Sequence, residues 1–370
     1  MEATIVFKYY RKRGEHNMKK ALNIVALLFV LTVLAFGLIG CEDIPQAPIS
    51  LDAFVIEGTT LKGLTDYGKT LGSIVLPDTI ATIGEYAFED CTNLISIKIP
   101  SSITEIGKGA FQGCSGLINI AIPNSVMKIG NWTFADCTSL TSVSIPDGVT
   151  SIGYQAFFCC DGLTNITIPD TVTTIGEYAF EFCNSLTSIT IPAGITSIGE
   201  STFAGCTALT DITIPSSVTE IDNHTFEGCY NLTAVTYTGS IEQWYAIGYV
   251  APSTADITCT DGKAVFIIGK GTDDTSVYGL TPYGETTCTE IVVPDGITSI
   301  GEWAFEDYTG LTSITIPSSV TSIGEDAFQG CTSLTDIYVN QAESTLLDNA
   351  SVPDGCKIHW NSTGSGSGSV

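Results

Sequence analysis

The apolar positions of this chain form a pattern that repeats every 23 residues. The unit has the form L-x-x-I-x-I-P-x-x-V-x-x-I-G-x-x-A-F-x-x-C, and one clear copy runs from Ala135 to Cys160. Its phenylalanine recurs in register at Phe88, Phe111, Phe134, Phe157, Phe180, Phe203, Phe226, Phe305 and Phe328. A fixed period of this length predicts a solenoid, in which stacked coils bury one continuous core.

Within each unit the pattern predicts three segments. The L-x-x-I-x-I part approaches period two and predicts a short parallel strand with one buried face. The proline lacks a backbone N–H and ends this strand. The V-x-x-I part predicts a second short strand, and the A-F-x-x-C part predicts one helical or 3₁₀ turn over the core.

These in-register units resemble the BspA-like leucine-rich-repeat family of microbial surface proteins. The resemblance covers roughly residues 60–340. The unit departs from the best-known leucine-rich repeat, which has an Asn or Cys in a different local frame and no strand-ending proline. The resemblance implies display on the cell surface and, as in some relatives, adhesion.

The N-terminal segment predicts an export leader. Met18 is followed by two lysines, an apolar run over residues 21–36 and the sequence Leu38-Ile39-Gly40-Cys41, which together describe a secretory signal. The last four residues resemble a bacterial lipobox, whose cysteine is lipidated and becomes the mature N-terminus. We expect a lipid anchor on Cys41 at the bacterial outer membrane or cell surface, with residues 1–17 an upstream extension. A single transmembrane anchor is the alternative.

The remaining sequence predicts two repeat arrays. The phrase Gly63-Leu64-Thr65-Asp66-Tyr67-Gly68 precedes the first regular coil, and nearly the same phrase returns at residues 279–284. Because a solenoid end exposes its core, we interpret both as N-terminal caps. The resemblance to the BspA-like family implies that Trp244 belongs to a closing cap. The expected boundaries are a leader at 1–40, a tether at 41–50, a capped first array at 51–258, a connector with the second cap at 259–290, a short second array with its end cap at 291–360, and a Gly/Ser tail at 361–370.

The charge balance excludes nucleic acid as a partner. The chain has 14 basic and 40 acidic residues, a formal charge of −26. Six of the bases and two of the acids lie in residues 1–40, so residues 41–370 hold 8 Lys, no Arg and 38 acids, a charge of −30. So acidic a chain repels polyanions, and without arginine it has no bidentate fork for phosphate.

Eight of the 13 cysteines occupy one repeat position. They are Cys91, Cys114, Cys137, Cys160, Cys183, Cys206, Cys229 and Cys331, and we call them the thiol ladder. We expect them to pack in the core as small, reduced apolar residues, because parallel side chains on stacked strands lie about 4.8 Å apart, farther than the roughly 3.8 Å Cβ separation of a disulfide. A bridge among Cys159, Cys259, Cys288 and Cys356 stays open.

No catalytic set, metal site or cofactor site is expected. His224 and His359 are isolated from each other and from any CxxC pair, and no Asp-x-Asp-x-Asp-Gly calcium loop or GxSxG elbow is present. Recurring glutamates such as Glu85 and Glu177 follow the repeat and indicate a solvated face. The sequence therefore favours a binding protein over an enzyme.

The outward position of the first strand offers the best candidate binding surface. Across successive coils it holds Ser144, Thr167, Thr190, Thr213 and Thr236, which we call the hydroxyl stripe. Threonine is also a common exposed strand residue without any function. We expect a scaffold or adhesin that uses this concave face to bind a protein of the host, a neighbouring cell or the matrix. The alternatives are glycan capture for nutrient uptake and a structural envelope protein without a specific ligand.

Overall fold

Each 23-residue unit forms one coil of a β-solenoid of about 13 turns, as the period predicted. The computed structural model describes residues 51–361 except 223, 250, 251, 253 and 271–274. The predicted leader, the whole tether with Cys41 and the tail from residue 362 therefore lie outside the described residues.

The first strand of each unit stacks into one side of the solenoid. In the N-terminal part these strands are β3 (Ser73–Val75), β5 (Ser96–Lys98), β7 (Asn119–Ala121), β9 (Ser142–Ser144), β12 (Ser188–Thr190), β14 (Asp211–Ile214), β16 (Ala234–Tyr237) and β17 (Asp256–Cys259). They pair in parallel as β3-β5-β7-β9 and β12-β14-β16-β17. Residues 163–169 form no strand, so the strand expected around Thr167 is absent, although the coils on both sides keep the register.

The second strand of each unit forms another parallel side. These strands are β4 (Thr82–Ile83), β6 (Glu105–Ile106), β8 (Lys128–Ile129), β10 (Ser151–Ile152), β11 (Thr174–Ile175), β13 (Ser197–Ile198) and β15 (Glu220–Ile221). Where these strands pair, their isoleucines lie in register, as in Ile152 with Ile175. These strands are two residues long, with a turn before each and a glycine directly after all but β15, where Asp222 follows.

The third side is a run of β-turns. Between Gly153 and Cys160 the N–H groups of Ala156, Phe158 and Cys160 each donate to the carbonyl three residues earlier, as expected for a 3₁₀ turn. Left-handed residues at Gln155 (φ 51°) and Cys159 (φ 54°) prevent a continuous helix. The intervening N–H groups donate to the next coil, so this side is also hydrogen-bonded along the solenoid.

A column of phenylalanine rings occupies the core. From Phe88 to Phe226 each ring stacks on the next, with centroids 5.0–5.6 Å apart and planes within 16°. All seven rings are buried. Burying one such side chain stabilises the fold by roughly 1.5–3 kcal/mol, so the repeated column is a major source of stability.

The N-terminal end is covered by a hairpin. A 3₁₀ helix (Leu51–Ala53) leads into the antiparallel strands β1 (Phe54–Glu57) and β2 (Thr60–Leu64), and a second 3₁₀ helix (Gly68–Thr70) follows. Strand β2 then pairs in parallel with β4. The hairpin thereby joins the coil stack and covers the first coil.

The same arrangement recurs before the second group of coils. Strand β18 (Gly262–Lys263) is followed by the antiparallel strands β19 (Phe266–Lys270) and β20 (Thr275–Leu280) and by helix α2 (Pro282–Thr287). Phe266 pairs with Leu280 as Phe54 pairs with Leu64, and both hairpins carry an irregularity one residue further on. Thr281 caps α2 by accepting a hydrogen bond from the Gly284 N–H.

The second group of coils continues the same two strand sides. Its first strands are β21 (Glu290–Val292), β23 (Ser313–Ile316), β25 (Asp336–Val339) and β26 (Lys357–Trp360), and its second strands are β22 (Ser299–Ile300) and β24 (Ser322–Ile323). Phe305 and Phe328 stack with centroids 5.5 Å apart. The core of this group thus repeats the packing of the longer one.

Helix α1 (Ile241–Ile247) lies between the two groups. A capping box of Ser240 and Gln243 begins it. Trp244 is buried, with its ring 5.4 Å from that of Tyr237, so it covers the coil that contains Tyr237. The Asp256 carboxylate joins the two groups, because it accepts hydrogen bonds from Lys263 and from the Tyr283 N–H at the start of α2.

Candidate functional site: a hydroxyl stripe and an aromatic row

The hydroxyl stripe lies on the first-strand side and points away from the core. Thr190, Thr213 and Thr236 are direct partners on three adjacent parallel strands. Ser144, Thr167, Thr190 and Thr236 are exposed, and Thr213 is partly exposed. The register also adds Thr258 of β17, which pairs with Thr236 and which the sequence pattern had missed.

The hydroxyls of this stripe differ from those of neighbouring threonines in their hydrogen bonding. Thr141, Thr187, Thr210 and Thr233 each donate to a carbonyl of the preceding coil, at 3.0–3.4 Å, and so connect coils. Within the described residues, no intrachain hydrogen bond forms at the hydroxyls of Thr190, Thr213 and Thr236. These groups face solvent with their hydrogen-bonding capacity available to a ligand.

The equivalent positions of the second group of coils carry different chemistry. Val292, Thr315, Tyr338 and His359 are in register there. The Tyr338 and His359 rings stack at 4.7 Å, and the His359 imidazole lies 2.8 Å from the Asp336 carboxylate. This hydrogen bond lowers the pKa of Asp336. The uncharged hydroxyl surface is therefore confined to the first group.

The thiol ladder makes a contact that the sequence did not predict. Each thiol after Cys91 donates a hydrogen bond to the phenylalanine carbonyl of the preceding coil. The pairs are Cys114–Phe88, Cys137–Phe111, Cys160–Phe134, Cys183–Phe157, Cys206–Phe180, Cys229–Phe203 and Cys331–Phe305, with Sγ–O distances of 3.0–3.3 Å. The cysteine thus acts both as a small apolar residue and as a donor that holds adjacent coils together.

Burial suppresses the reactivity of these thiols. It raises the pKa of Cys137 and of Cys229 to about 12 and that of Cys331 to about 11. A thiol with so high a pKa has almost no thiolate at neutral pH and is a poor nucleophile. The ladder therefore has a structural role in the core and offers no reactive group to solvent.

The four off-ladder cysteines are unbridged in the described structure. Cys259 is buried, and Cys159, Cys288 and Cys356 are partly exposed. Burial, followed by the charge of Asp136, raises the pKa of Cys159 to about 11. Within the described residues, no disulfide joins any two of these four cysteines.

Among the residues that the structure describes, no three His, Cys, Asp or Glu side chains are placed to hold a metal ion. His224 is exposed, and its nearest acidic partner is Asp222 at 3.3 Å. Across the same part of the chain, no helix is long and apolar enough to span a bilayer.

A row of aromatic side chains at the start of the turn side was missed by the sequence analysis. It comprises Tyr86, Trp132, Tyr154 and Tyr178, all partly exposed, and we call it the aromatic row. Trp132 meets Tyr154 edge-on at 5.7 Å, and Tyr154 meets Tyr178 edge-on at 5.5 Å. The Lys108 ammonium lies between Tyr86 and Trp132, 5.9 Å and 4.3 Å from their ring centroids.

The contact between Trp132 and Tyr154 follows from the backbone hydrogen bonds. Trp132 and Tyr178 stand two residues after the repeat glycine, whereas Tyr154 stands one residue after it. The Trp132 N–H donates to the Tyr154 carbonyl, 22 residues ahead. Because the bonds of a parallel ladder are slanted, the second position of one coil lies beside the first position of the next. A comparison of equivalent repeat positions alone does not reveal this neighbour relation.

A family model described as "BspA type Leucine rich repeat region (6 copies)" matches residues 66–184, 133–248 and 282–351. The chain belongs to the BspA-type leucine-rich-repeat family. The matched ranges include Ser144, Thr167, Thr190, Thr213 and Thr236 of the hydroxyl stripe and the whole aromatic row.

Solved structures of similar proteins come from several bacteria. A leucine-rich-repeat protein of T. pallidum is 27% identical over 50% of this BspA-type chain and 91% of its own, with a TM-score of 0.46. One from Bacteroides ovatus is 27% identical over 83% and 97%, with a TM-score of 0.42. A leucine-rich cell surface protein from Faecalibacterium prausnitzii is 24% identical over 85% and 99%, with a TM-score of 0.34. A comparison with curated proteins finds no match.

Proposed function

We propose that this BspA-type protein is a lipid-anchored bacterial surface protein that binds other proteins through the hydroxyl stripe. The observation that carries the proposal is the row of exposed threonine hydroxyls on paired strands, whose hydrogen-bonding capacity is not used between the described coils. A solenoid side offers a long, continuous contact, so many modest interactions add up without a deep pocket.

The location rests on three supports. The sequence at Leu38–Cys41 resembles a lipobox, the repeat belongs to the BspA type, and one similar solved structure is described as a cell surface protein. Because an exposed stripe of hydroxyl groups favours binding over catalysis, the role is that of a non-catalytic scaffold or adhesin. Its partner is a protein of the host, the matrix or a neighbouring cell.

Replacement of Thr167, Thr190 and Thr213 together by lysine tests this surface. Purified protein is titrated against immobilised fibronectin, laminin and collagen and against a glycan array. We expect the triple variant to lose binding to the protein that wild type recognises, because three long charged side chains then cover the stripe. The matched control is the triple variant Thr173→Lys, Thr196→Lys and Thr219→Lys, which adds the same charge on the second-strand side and should bind as wild type.

Two results would overturn the proposal. One is a folded stripe variant that binds its protein target with unchanged affinity. The other is wild-type binding to glycans alone, which would favour glycan capture, since a hydroxyl surface also suits hydroxyl-rich ligands. Circular dichroism of all variants establishes that the coils are intact.

A further inference from the structure

The aromatic row occupies backbone positions that disfavour large side chains. Tyr86, Trp132 and Tyr178 have left-handed conformations, with φ of 55°, 56° and 58°. In the second coil the same position is Gly109, with φ 60°, and glycine adopts this region without steric cost. Bulky residues held in such conformations occur preferentially at functional sites. The same repeat position is also left-handed at Gln155, Ser201 and Asp326, so this conformation belongs to the repeat. What is particular to the row is that aromatic side chains stand where other coils have glycine or a polar residue.

The structure already contains one cation bound by this row. The Lys108 ammonium lies 4.3 Å from the Trp132 ring centroid and is flanked on its other side by Tyr86. Ammonium and guanidinium groups are attracted to aromatic faces at such distances. The N-terminal half of the row thus holds an ammonium group against its rings.

The other half of the row has the same rings and excess negative charge. Glu177 and Glu200 are exposed, and a hydrogen bond to Glu200 raises the pKa of Tyr178 to about 12. Burial, followed by the charge of Glu200, raises the pKa of Glu181. The sequence from residue 129 to residue 262 contains no Lys or Arg. The coils that hold this cluster therefore contribute no lysine or arginine to balance its charge.

We propose that the aromatic row is a second binding surface, whose ligand is an extended, lysine- or arginine-rich segment of a partner protein. Its rings contact the cationic side chains as Trp132 contacts Lys108, and the glutamates beside Tyr178 supply the opposite charge. Because rings of adjacent coils contact one another, the row suits a chain that runs along the solenoid. This surface is separate from the hydroxyl stripe, so each proposal stands or fails by itself.

The first test removes the rings without changing the charge. The double variant Trp132→Gly and Tyr178→Gly uses the residue that the chain itself has at Gly109. The probe is a fluorescent peptide of about 12 residues in which lysine alternates with serine, so that its lysines share one face when extended. We expect Kd to rise at least tenfold at physiological salt, with thermal stability retained because glycine suits the left-handed positions. Tyr230→Ala, which removes an exposed tyrosine elsewhere, should leave Kd unchanged.

The second test removes the internal cation. Lys108→Ala frees the faces of Tyr86 and Trp132 for the probe. Relative to a variant with the same loss of charge, it should lower Kd by roughly two- to fivefold, as expected for one exposed cation–π contact. Lys128→Ala makes the same change in net charge outside the row and provides the reference. This pair of variants separates aromatic contacts from the general attraction of a basic peptide to an acidic protein.

The proposal is overturned if the glycine double variant binds the probe as wild type does, or if Lys108→Ala and Lys128→Ala have equal effects. It is also overturned if the double variant loses affinity only for oligosaccharides on a glycan array, which would make the row a sugar-stacking surface. None of these results depends on the threonine variants of the hydroxyl stripe.

Discussion

The Cys160 thiol donates a hydrogen bond to the Phe134 carbonyl, with Sγ 3.1 Å from the oxygen, across the boundary between two coils. The same carbonyl also accepts the Cys137 N–H of its own coil. The thiol therefore connects a turn in one coil to the next coil, in addition to filling space between the phenylalanine rings.

Cys160→Ala should lower the free energy of unfolding by about 1–2 kcal/mol, through loss of this bond and of a buried sulfur. Chemical unfolding under reducing conditions measures the change. Cys159→Ala, one residue earlier and outside the ladder, should cost less than about 0.5 kcal/mol. Equal losses for the two variants would contradict a specific role for the ladder thiol.

Phe180→Ala should lower the free energy of unfolding by roughly 3–5 kcal/mol, since it empties the centre of a stacked column. Phe180 lies between Phe157 and Phe203, at 5.3 Å and 5.5 Å. Thr190→Ala, on an exposed strand position, should cost well under about 1 kcal/mol. Similar denaturation midpoints for the two variants would refute the assignment of core and surface.

The ladder thiols should stay reduced in the exported protein. Alkylation under denaturing conditions, followed by intact-mass measurement, should find the eight ladder cysteines free. Stacked side chains are too far apart for an unstrained bridge. Four or fewer alkylated thiols in the lipid-free chain would show that the ladder oxidises.

The reactivity of Cys159 should depend on pH in an unusual way. Because burial and then the charge of Asp136 raise its pKa to about 11, its thiolate fraction should grow about tenfold per pH unit between roughly pH 8 and pH 10. An ordinary thiol would level off near pH 9. The measurement is the rate of iodoacetamide reaction in protein with Cys288 and Cys356 replaced by serine.

Asp136→Asn should increase the Cys159 rate at about pH 8, since removal of a nearby negative charge lowers the thiol pKa. The pH at which the rate levels off should fall accordingly. An identical pH profile in the two proteins would exclude the influence of Asp136.

Lipidation of Cys41 remains a prediction, since this residue lies outside the described part of the chain. Expressed in a lipoprotein-competent bacterium, wild type should label with a palmitate analogue and partition with membranes. Cys41→Ser should do neither, because the acylated thiol is lost. Equal labelling of the two proteins would exclude the anchor.

The repeat positions could be predicted from the sequence because their physical requirements are local and recur. The repeat position of Phe180 holds phenylalanine in nine coils and that of Cys183 holds cysteine in eight. The pattern therefore places both residues in the core, and both are buried. The hydroxyl stripe follows in the same way from strand alternation, and Thr190 and Thr236 are exposed on paired strands. Because the coils stack in register, the buried and exposed positions of one unit predict those of the other units.

What could not be predicted depends on the relation between coils. The hydrogen bond from the Cys160 thiol to the Phe134 carbonyl depends on how far the turn of one coil is offset from the preceding coil. The spacing of residues along the sequence does not specify this offset. The aromatic row requires the slant of the hydrogen bonds, which brings Trp132 beside Tyr154. The left-handed conformation of Tyr178 is also hidden, since tyrosine gives no signal for it. The surface chemistry was thus missed where it depends on neighbours in space.

Because the contacts between coils are uniform, they do not determine how many coils the solenoid contains. Each coil of the first group presents the same ring, thiol and carbonyl to the next, so insertion or removal of one whole 23-residue unit recreates every interface. The reach of the molecule can therefore evolve in increments of about 4.8 Å, with each intermediate length able to fold.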